Sequence, residues 1–286
     1  LNQLYPYINQ YGTSQNKLNQ INKEIWHSFK KSILQEAIQG KLVPQIAEED
    51  TAQKLLELIK AEKLKFVKEG KLKKSALTDS VIYKGDDNKY YEQVGKSDKE
   101  ITEEIAFDLP NGWSWCRLKD ICSIFTGATF KKEETVTTKE GVRILRGGNI
   151  SPFELRIKDD DIFLTKDKVK EDIILKENDI LTPAVTSLEN IGKMVRVNSD
   201  MPNTTVGGFV FIIRLYLKNQ WLSKYILYLL SSPFMIDFMK SITNKSGQAF
   251  YNIGKERLST ALLPIPSLAE QHRIVAQIEK LFEQLR

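Results

Sequence analysis

Few side chains in this chain can do chemistry, and their spacing points to binding rather than catalysis. Only two histidines occur, His27 and His272. Each lies inside a helical pattern, far from any acid-rich loop, so neither is placed to act as a general base. The sequence contains no G-x-x-x-x-G-K-[ST] phosphate loop, no G-x-G-x-x-G turn after a strand and no H-E-x-x-H zinc motif. Asp159-Asp160-Asp161 could suggest a metal, but three adjacent acids point in different directions and read as a solvated loop. Cys116 and Cys122 sit in an apolar stretch, as two reduced core thiols of a cytoplasmic chain would. No catalytic residue, metal site or cofactor site is expected on this chain.

The remaining polar chemistry gathers in three loops. All nine arginines lie at or after Arg117, and the planar guanidinium fork suits phosphates and guanine edges. The first loop is Arg143-Ile-Leu-Arg146-Gly-Gly-Asn149, where the glycine pair would let a ligand approach the backbone closely. A second runs from Thr182 to Asn190 through Thr186 and Ser187, with Lys193 following. The third, Lys245-Ser246-Gly-Gln248-Ala-Phe-Tyr251-Asn252, combines a cation, amides and stackable rings. Hydroxyls suit phosphates, and Asn or Gln suits the adenine N6/N7 edge. Each loop alone is equally compatible with turn chemistry; three in one domain lean toward nucleic acid. A formal net charge of +5 agrees with that partner without demanding it.

These loops need a scaffold, and its elements are readable. Leu18, Ile21, Ile25, Phe29 and Ile33 recur at three- and four-residue steps within a helix over residues 18–42, closed by Gly40 and Pro44. At the other end Ile274, Ile278, Leu281 and Leu285 form a heptad-like seam beginning after Pro264 and Pro266. So short a helix needs a partner, and the first helix, from this chain or another copy, could supply it as a coiled coil. Residues 46–104 read as a helix with Asp50 and Gln53 as its capping box, then a charged linker with a short hairpin near Gly85-Asp86. A distinct domain over 105–265 opens with Trp113 and Trp115, whose period of two predicts a shared strand face. Short β-like runs follow at 142–145, 162–164, 179–181, 194–197 and 209–215. Then come a helix over 225–240 interrupted at Pro233 and a last strand at 261–265. The fold class is α+β: one mixed domain flanked by a helical arm at 1–45 and the start of a second helix at 266–286. No run of eighteen apolar residues occurs. A chain that opens on Leu1 reads as a fragment, a processed chain or a trimmed one.

Several stretches resemble the specificity subunits of type I restriction–modification systems. Leu109-Pro-Asn-Gly-Trp-Ser-Trp-Cys-Arg-Leu-Lys-Asp-Ile121, Thr126-Gly-Ala-Thr129 and Ile144-Leu-Arg-Gly-Gly-Asn-Ile150 are similar to the opening of that family's target recognition domain. Ser246-Gly-Gln-Ala-Phe-Tyr-Asn-Ile-Gly-Lys-Glu-Arg-Leu258 and Leu263-Pro-Ile-Pro-Ser-Leu-Ala-Glu-Gln-His-Arg-Ile-Val275 resemble its close and the adjoining conserved helix. Leu4-Tyr-Pro-Tyr-Ile8 and the stretch from Lys30 to Pro44 resemble the later part of the conserved helical region.

That resemblance implies a non-catalytic, sequence-specific binder of double-stranded DNA. It also implies docking to modification subunits, which carry S-adenosylmethionine and methylate adenine, and through the complex to restriction subunits. Family members typically hold two recognition domains, whereas this chain holds one, so a head-to-tail homodimer would restore two domains and two helical spacers. The expected DNA contacts are Arg143, Arg146, Asn149, Thr186, Ser187, Lys193, Lys245, Ser246, Gln248 and Tyr251. The expected coiled-coil contacts are Leu18, Ile21, Ile25, Phe29, Ile274, Ile278, Leu281 and Leu285. The rival reading is a coiled-coil adaptor whose globular domain binds protein and reads no bases.

Overall fold

A computed structural model describes residues 4–136, 140–246 and 249–285. The chain starts with helix α1, Tyr5–Ile38, longer than its apolar stripe alone predicts. Its last turns bury Leu34, Ala37 and Ile38 in the main core, while Leu18, Ile21, Ile25 and Phe29 stay largely exposed. Gly40 ends the helix at φ +69°, and a Cβ there would fall 2.4 Å from Pro110 Cγ, so glycine is required on both counts.

Helix α2, Ala52–Lys68, follows. Leu55 and Ile59 are buried and Leu56 and Phe66 pack at the edge, as their spacing predicts. The expected capping box does not form: Thr51 takes the N-cap, and Asp50 pairs with Lys54. Strands β1 (Ser80–Lys84), β2 (Tyr90–Val94) and β3 (Ser97–Glu100) then form an antiparallel sheet where a charged linker was expected. Its β1–β2 hairpin turns at Gly85-Asp86 as predicted. Charge docks this sheet on the rest of the molecule. The Arg117 guanidinium donates to Glu92 at 3.1 and 2.6 Å and to the Thr260 carbonyl at 2.8 Å, and pairs with Glu104. Lys63, 1% exposed, pairs with Asp79.

The body of the domain comprises β4 (Ser114–Arg117), α3 (Leu118–Ile121), β5 (Cys122–Thr126), β6 (Thr135–Val136), β7 (Val142–Leu145), β8 (Ile150–Ser151), β9 (Glu154–Leu155) and β10 (Ile162–Leu164). It continues through β11 (Ile180–Pro183), β12 (Val185–Thr186), β13 (Val195–Arg196), β14 (Thr204–Val206) and β15 (Val210–Leu215). Next come α4 (Gln220–Leu230), α5 (Pro233–Ser241), β16 (Thr243–Ser246), β17 (Phe250–Ile253), α6 (Lys255–Ser259), β18 (Leu262–Ile265) and α7 (Leu268–Gln284). Two four-stranded sheets, ordered β14-β7-β10-β6 and β13-β11-β15-β5, carry the structure; only the β14–β7 pairing within them is parallel.

Strand β15 shows why its sequence is apolar at every position but Arg214. Val210 and Ile212 face a core shared with Ile144, Leu145, Leu181 and Val206. Phe211, Ile213 and Leu215 face the opposite core, with Leu222, Tyr225 and Ile226 of α4. A strand buried on both faces cannot alternate polar and apolar residues. The thiols of Cys116 and Cys122 lie free and buried in the helix-side core, and burial pushes both well above the ordinary thiol range. The two tryptophans do not share a face. Trp113 precedes β4 and packs in the helix-side core, whereas Trp115 packs against Phe107 in a third cluster.

Helix α7 buries Ile274, Val275 and Ile278 completely against the domain, chiefly on α4, and touches the end of α1. Half of the expected free seam therefore belongs to the domain core, with Leu281 and Leu285 partly exposed. The Ser267 hydroxyl caps α7 by accepting from Glu270 N. The Glu270 carboxylate accepts from Trp113 Nε1 and Gln45 Nε2, both at 2.9 Å. Arg273 grips Glu49 with two bonds of 2.9 and 2.8 Å. Both helices are rooted in one core, and residues 46–104 are part of that body rather than a tether.

Candidate nucleic-acid interface

One end of the two sheets collects the chain's open backbone. At the end of β5, Gly127 N donates to Val210 O and Ala128 N to Val206 O. A Cβ on Gly127 would lie 2.2 Å from the Val206 carbonyl, so this crossing admits only glycine. Gly207 N donates to Leu145 O at 2.8 Å, which ties the ends of β7 and β14 to the same point. Ala184 N donates to Phe209 O, and Ile253 N to Ala184 O, both at 2.8 Å, so the backbone runs on into β12 and β17. All three sequence-selected loops leave the body here.

The first loop is built inward. Asn149 is 1% exposed. Its Oδ1 accepts from Arg146 N at 2.7 Å, and its Nδ2 donates to Arg156 O at 2.8 Å and Asp161 Oδ1 at 2.6 Å. Asp161 Oδ2 accepts from Arg143 Nη1 and Lys158 N, each at 2.9 Å. Burial alone would raise the Asp161 carboxyl, but the Lys158 N–H, the Asn149 amide and the Arg143 guanidinium outweigh it and hold the group below the ordinary aspartate value. Arg143 also lies over the Phe163 ring, 4.8 Å from its centroid. Arg146 reaches Asp160 at 3.2 Å with its side chain about half exposed. The acid triplet thus splits its work: Asp161 is the buried hub and Asp160 an exposed partner. Asn149 holds the loop's shape and offers no free amide to a ligand, a correction forced by its burial.

The second and third loops meet in one small sheet, ordered β12-β17-β16, where the sequence suggested loops only. Thr186 stands opposite Tyr251, which stands opposite Lys245, so these three share one face. Thr186 is buried, Tyr251 half-buried and Lys245 exposed. The other face carries Asn244, Ser246, Phe250 and Asn252, all exposed. Ser246 is therefore separated from Lys245 and Tyr251 by the pleat. Lys245 has no ion-pair partner among the described residues. Gln248 lies outside the described residues.

Two further expected contacts are engaged locally or lie beyond the small sheet's strands. The Ser187 hydroxyl donates to Glu189 at 2.5 Å and accepts from Asn190 at 2.8 Å, closing its own turn. Lys193 follows Gly192, whose φ of +88° and close approach to Ile236 pack that stretch on α5. Phe250 and Asn252 lay in the third loop without being named as contacts, and Asn244 was passed over, as was Phe209, 73% exposed beside the glycine crossing. The Gly207-Gly208 pair before Phe209 was the available signal. No group of three or more His, Cys, Asp or Glu that could hold a metal occurs among the described residues. Neither does a helix long and apolar enough to cross a membrane.

The glycine-rimmed end, the mixed sheets and the flanking helices place three polar loops on one end of a single body. The chain belongs to the family of type I restriction modification DNA specificity domains, whose model matches residues 110–286. It is 30% identical over 274 residues to the specificity subunit of the type I restriction enzyme EcoAI from Escherichia coli, covering 90% of this chain and 40% of that one. With the EcoEI specificity subunit, also from Escherichia coli, it shares 26% identity over 259 residues and the same coverage. The chain thus spans about 40% of the length of these relatives. Among solved structures, the HsdS subunit from Thermoanaerobacter tengcongensis is 23% identical with a TM-score of 0.44, covering 63% of this chain and 40% of that one.

Proposed function

We propose that this chain reads one half of a bipartite duplex DNA site for a type I restriction–modification complex, without catalysing a reaction itself. The observation that carries the reading is the convergence of the β5, β7 and β14 ends and the β12-β17-β16 sheet on one end of the body. A two-stranded ribbon such as β16–β17 fits the major groove of B-DNA. Ser246 lies on the face of that ribbon turned to the bases, and Lys245 and Tyr251, on the opposite face beside Thr186, reach phosphates along its edge. Arg146 acts at the flank by exchanging Asp160 for a phosphate, while Arg143, expected as a contact, holds the loop through Asp161. Gln248, Ser187 and Lys193 remain contacts proposed from the sequence alone.

The helices supply spacing and docking. Leu18, Ile21, Ile25 and Phe29 are 42–52% exposed on α1, a stripe that a second helix would cover. Leu281 and Leu285 extend the same role at the far end, while Ile274 and Ile278 anchor α7. A head-to-tail second copy would place two recognition domains on one DNA. Modification subunits carrying S-adenosylmethionine, and restriction subunits through them, would bind this scaffold in the cytoplasm. Expressing the chain with its modification subunit in a methylation-free host and sequencing the modified adenines tests the reading. A bipartite palindrome is expected from two identical copies, and an asymmetric bipartite motif would mean a different second domain. A complex that forms and yields no motif would refute it and favour the protein-binding adaptor.

A further inference from the structure

Asparagine is a poor strand residue, because its short amide competes with the backbone for hydrogen bonds. Yet Asn244 of β16 and Asn252 of β17 stand directly opposite each other in the antiparallel ladder. Both are exposed, and neither amide has a hydrogen-bond partner among the described residues. A cross-strand pair of this kind holds its Cβ atoms ~5 Å apart on one face. The ladder sets the two amides side by side with no protein partner among the described residues. Proteins break such local rules chiefly at functional sites.

Resting on the proposed reading of DNA by the β16–β17 ribbon, we propose that Asn244 and Asn252 form a base-reading pair selective for adenine. Each amide offers a donor and an acceptor side by side, which matches the N7 acceptor and N6 donor of adenine in the major groove. Guanine presents two acceptors there and would leave the amide oxygen facing another oxygen. The ~5 Å spacing of the pair suits neighbouring base pairs better than a single one, because base pairs stack 3.4 Å apart along the helix. Ser246 and Phe250 form the next cross-strand pair on the same face, toward the turn.

The test uses the chain itself and duplexes of randomised sequence, from which the bound motif is selected and sequenced. Each adenine of that motif is then replaced by 7-deazaadenine, which keeps the N6 donor but removes the N7 acceptor. The wild-type chain is expected to lose about tenfold in affinity at one or two adenines. Asn252→Ala and Asn244→Ala should each bind the unmodified motif about tenfold more weakly and become indifferent to the substitution at one of those adenines. Thermal melting of both variants should match wild type, since neither amide is buried. If both variants keep the full 7-deazaadenine penalty at every adenine, or the motif has no sensitive adenine, the pair does not read adenine. A chain that selects no motif and shows no salt-dependent binding would instead overturn the proposed function.

Discussion

The Arg143–Asn149 loop and the β16–β17 ribbon look alike in composition, each rich in cations and amides, and they use those groups in opposite directions. In the first, Asn149, Arg143 and the backbone of Lys158 all turn toward buried Asp161. In the second, Asn244, Lys245, Ser246 and Asn252 face outward. Arginine content therefore located a structural hub, and the groups free to meet a ligand lie on the ribbon, with lysine as its cation. A buried polar group must be hydrogen-bonded by the protein, whereas an exposed one remains available to a partner.

Breaking the hub should have the largest effect. Asp161→Ala would strand the Arg143 guanidinium and the Asn149 amide, costing about 3 kcal/mol. In a domain of this size that lowers Tm by roughly 6–12 °C, measurable by thermal melting. The pH dependence follows from the sign of the shift. Asp161 titrates below its unfolded value of about 3.9. Its contribution is complete above that value and is lost as pH falls through the lower folded one. The difference in Tm between wild type and Asp161→Asn should hold steady from neutrality down to mild acid and close only in stronger acid. A difference that closed near neutrality would contradict the hub.

A cation on the ribbon should matter next, and for binding instead of folding. Lys245→Glu is expected to weaken random duplex DNA about five- to tenfold at low salt and to reduce the slope of log K against log salt by about one. Arg146→Ala, which removes an exposed pair worth ~0–1 kcal/mol to the fold, should change affinity by less than about threefold. Equal losses for the two variants in a titration across salt concentrations would erase the distinction between loop and ribbon.

The strands with apolar runs were legible: β7 and β10 match the runs at 142–145 and 162–164, and β15 lies within the run at 209–215. The break between α4 and α5 at Pro233 was equally plain. Residues 80–100 read as linker because Glu92 makes its docking contact by charge, with Arg117 distant in sequence. The ribbon read as a loop because Thr243-Asn-Lys-Ser246 has little strand propensity and is held by pairing with β17. Of the candidate site, the loop positions were legible, but the direction each side chain faces was not. Asn149 and Ser246 differ by burial alone, and burial is a property of the whole fold. The apolar stripe on α1 was visible, whereas the claim of the core on Ile274 and Ile278 depends on α4, which no local pattern reveals.

Photocrosslinking tests the central claim, that DNA lies on the ribbon, most directly. Benzoylphenylalanine would replace Phe250 on β17 in one variant and Tyr83 on the outer sheet in another, both exposed in the free chain. Irradiation with duplex DNA should give crosslinks from position 250 that disappear as salt rises, and none from position 83. Efficient crosslinks from position 83 with none from 250 would place the DNA on the β1–β3 sheet and contradict the account.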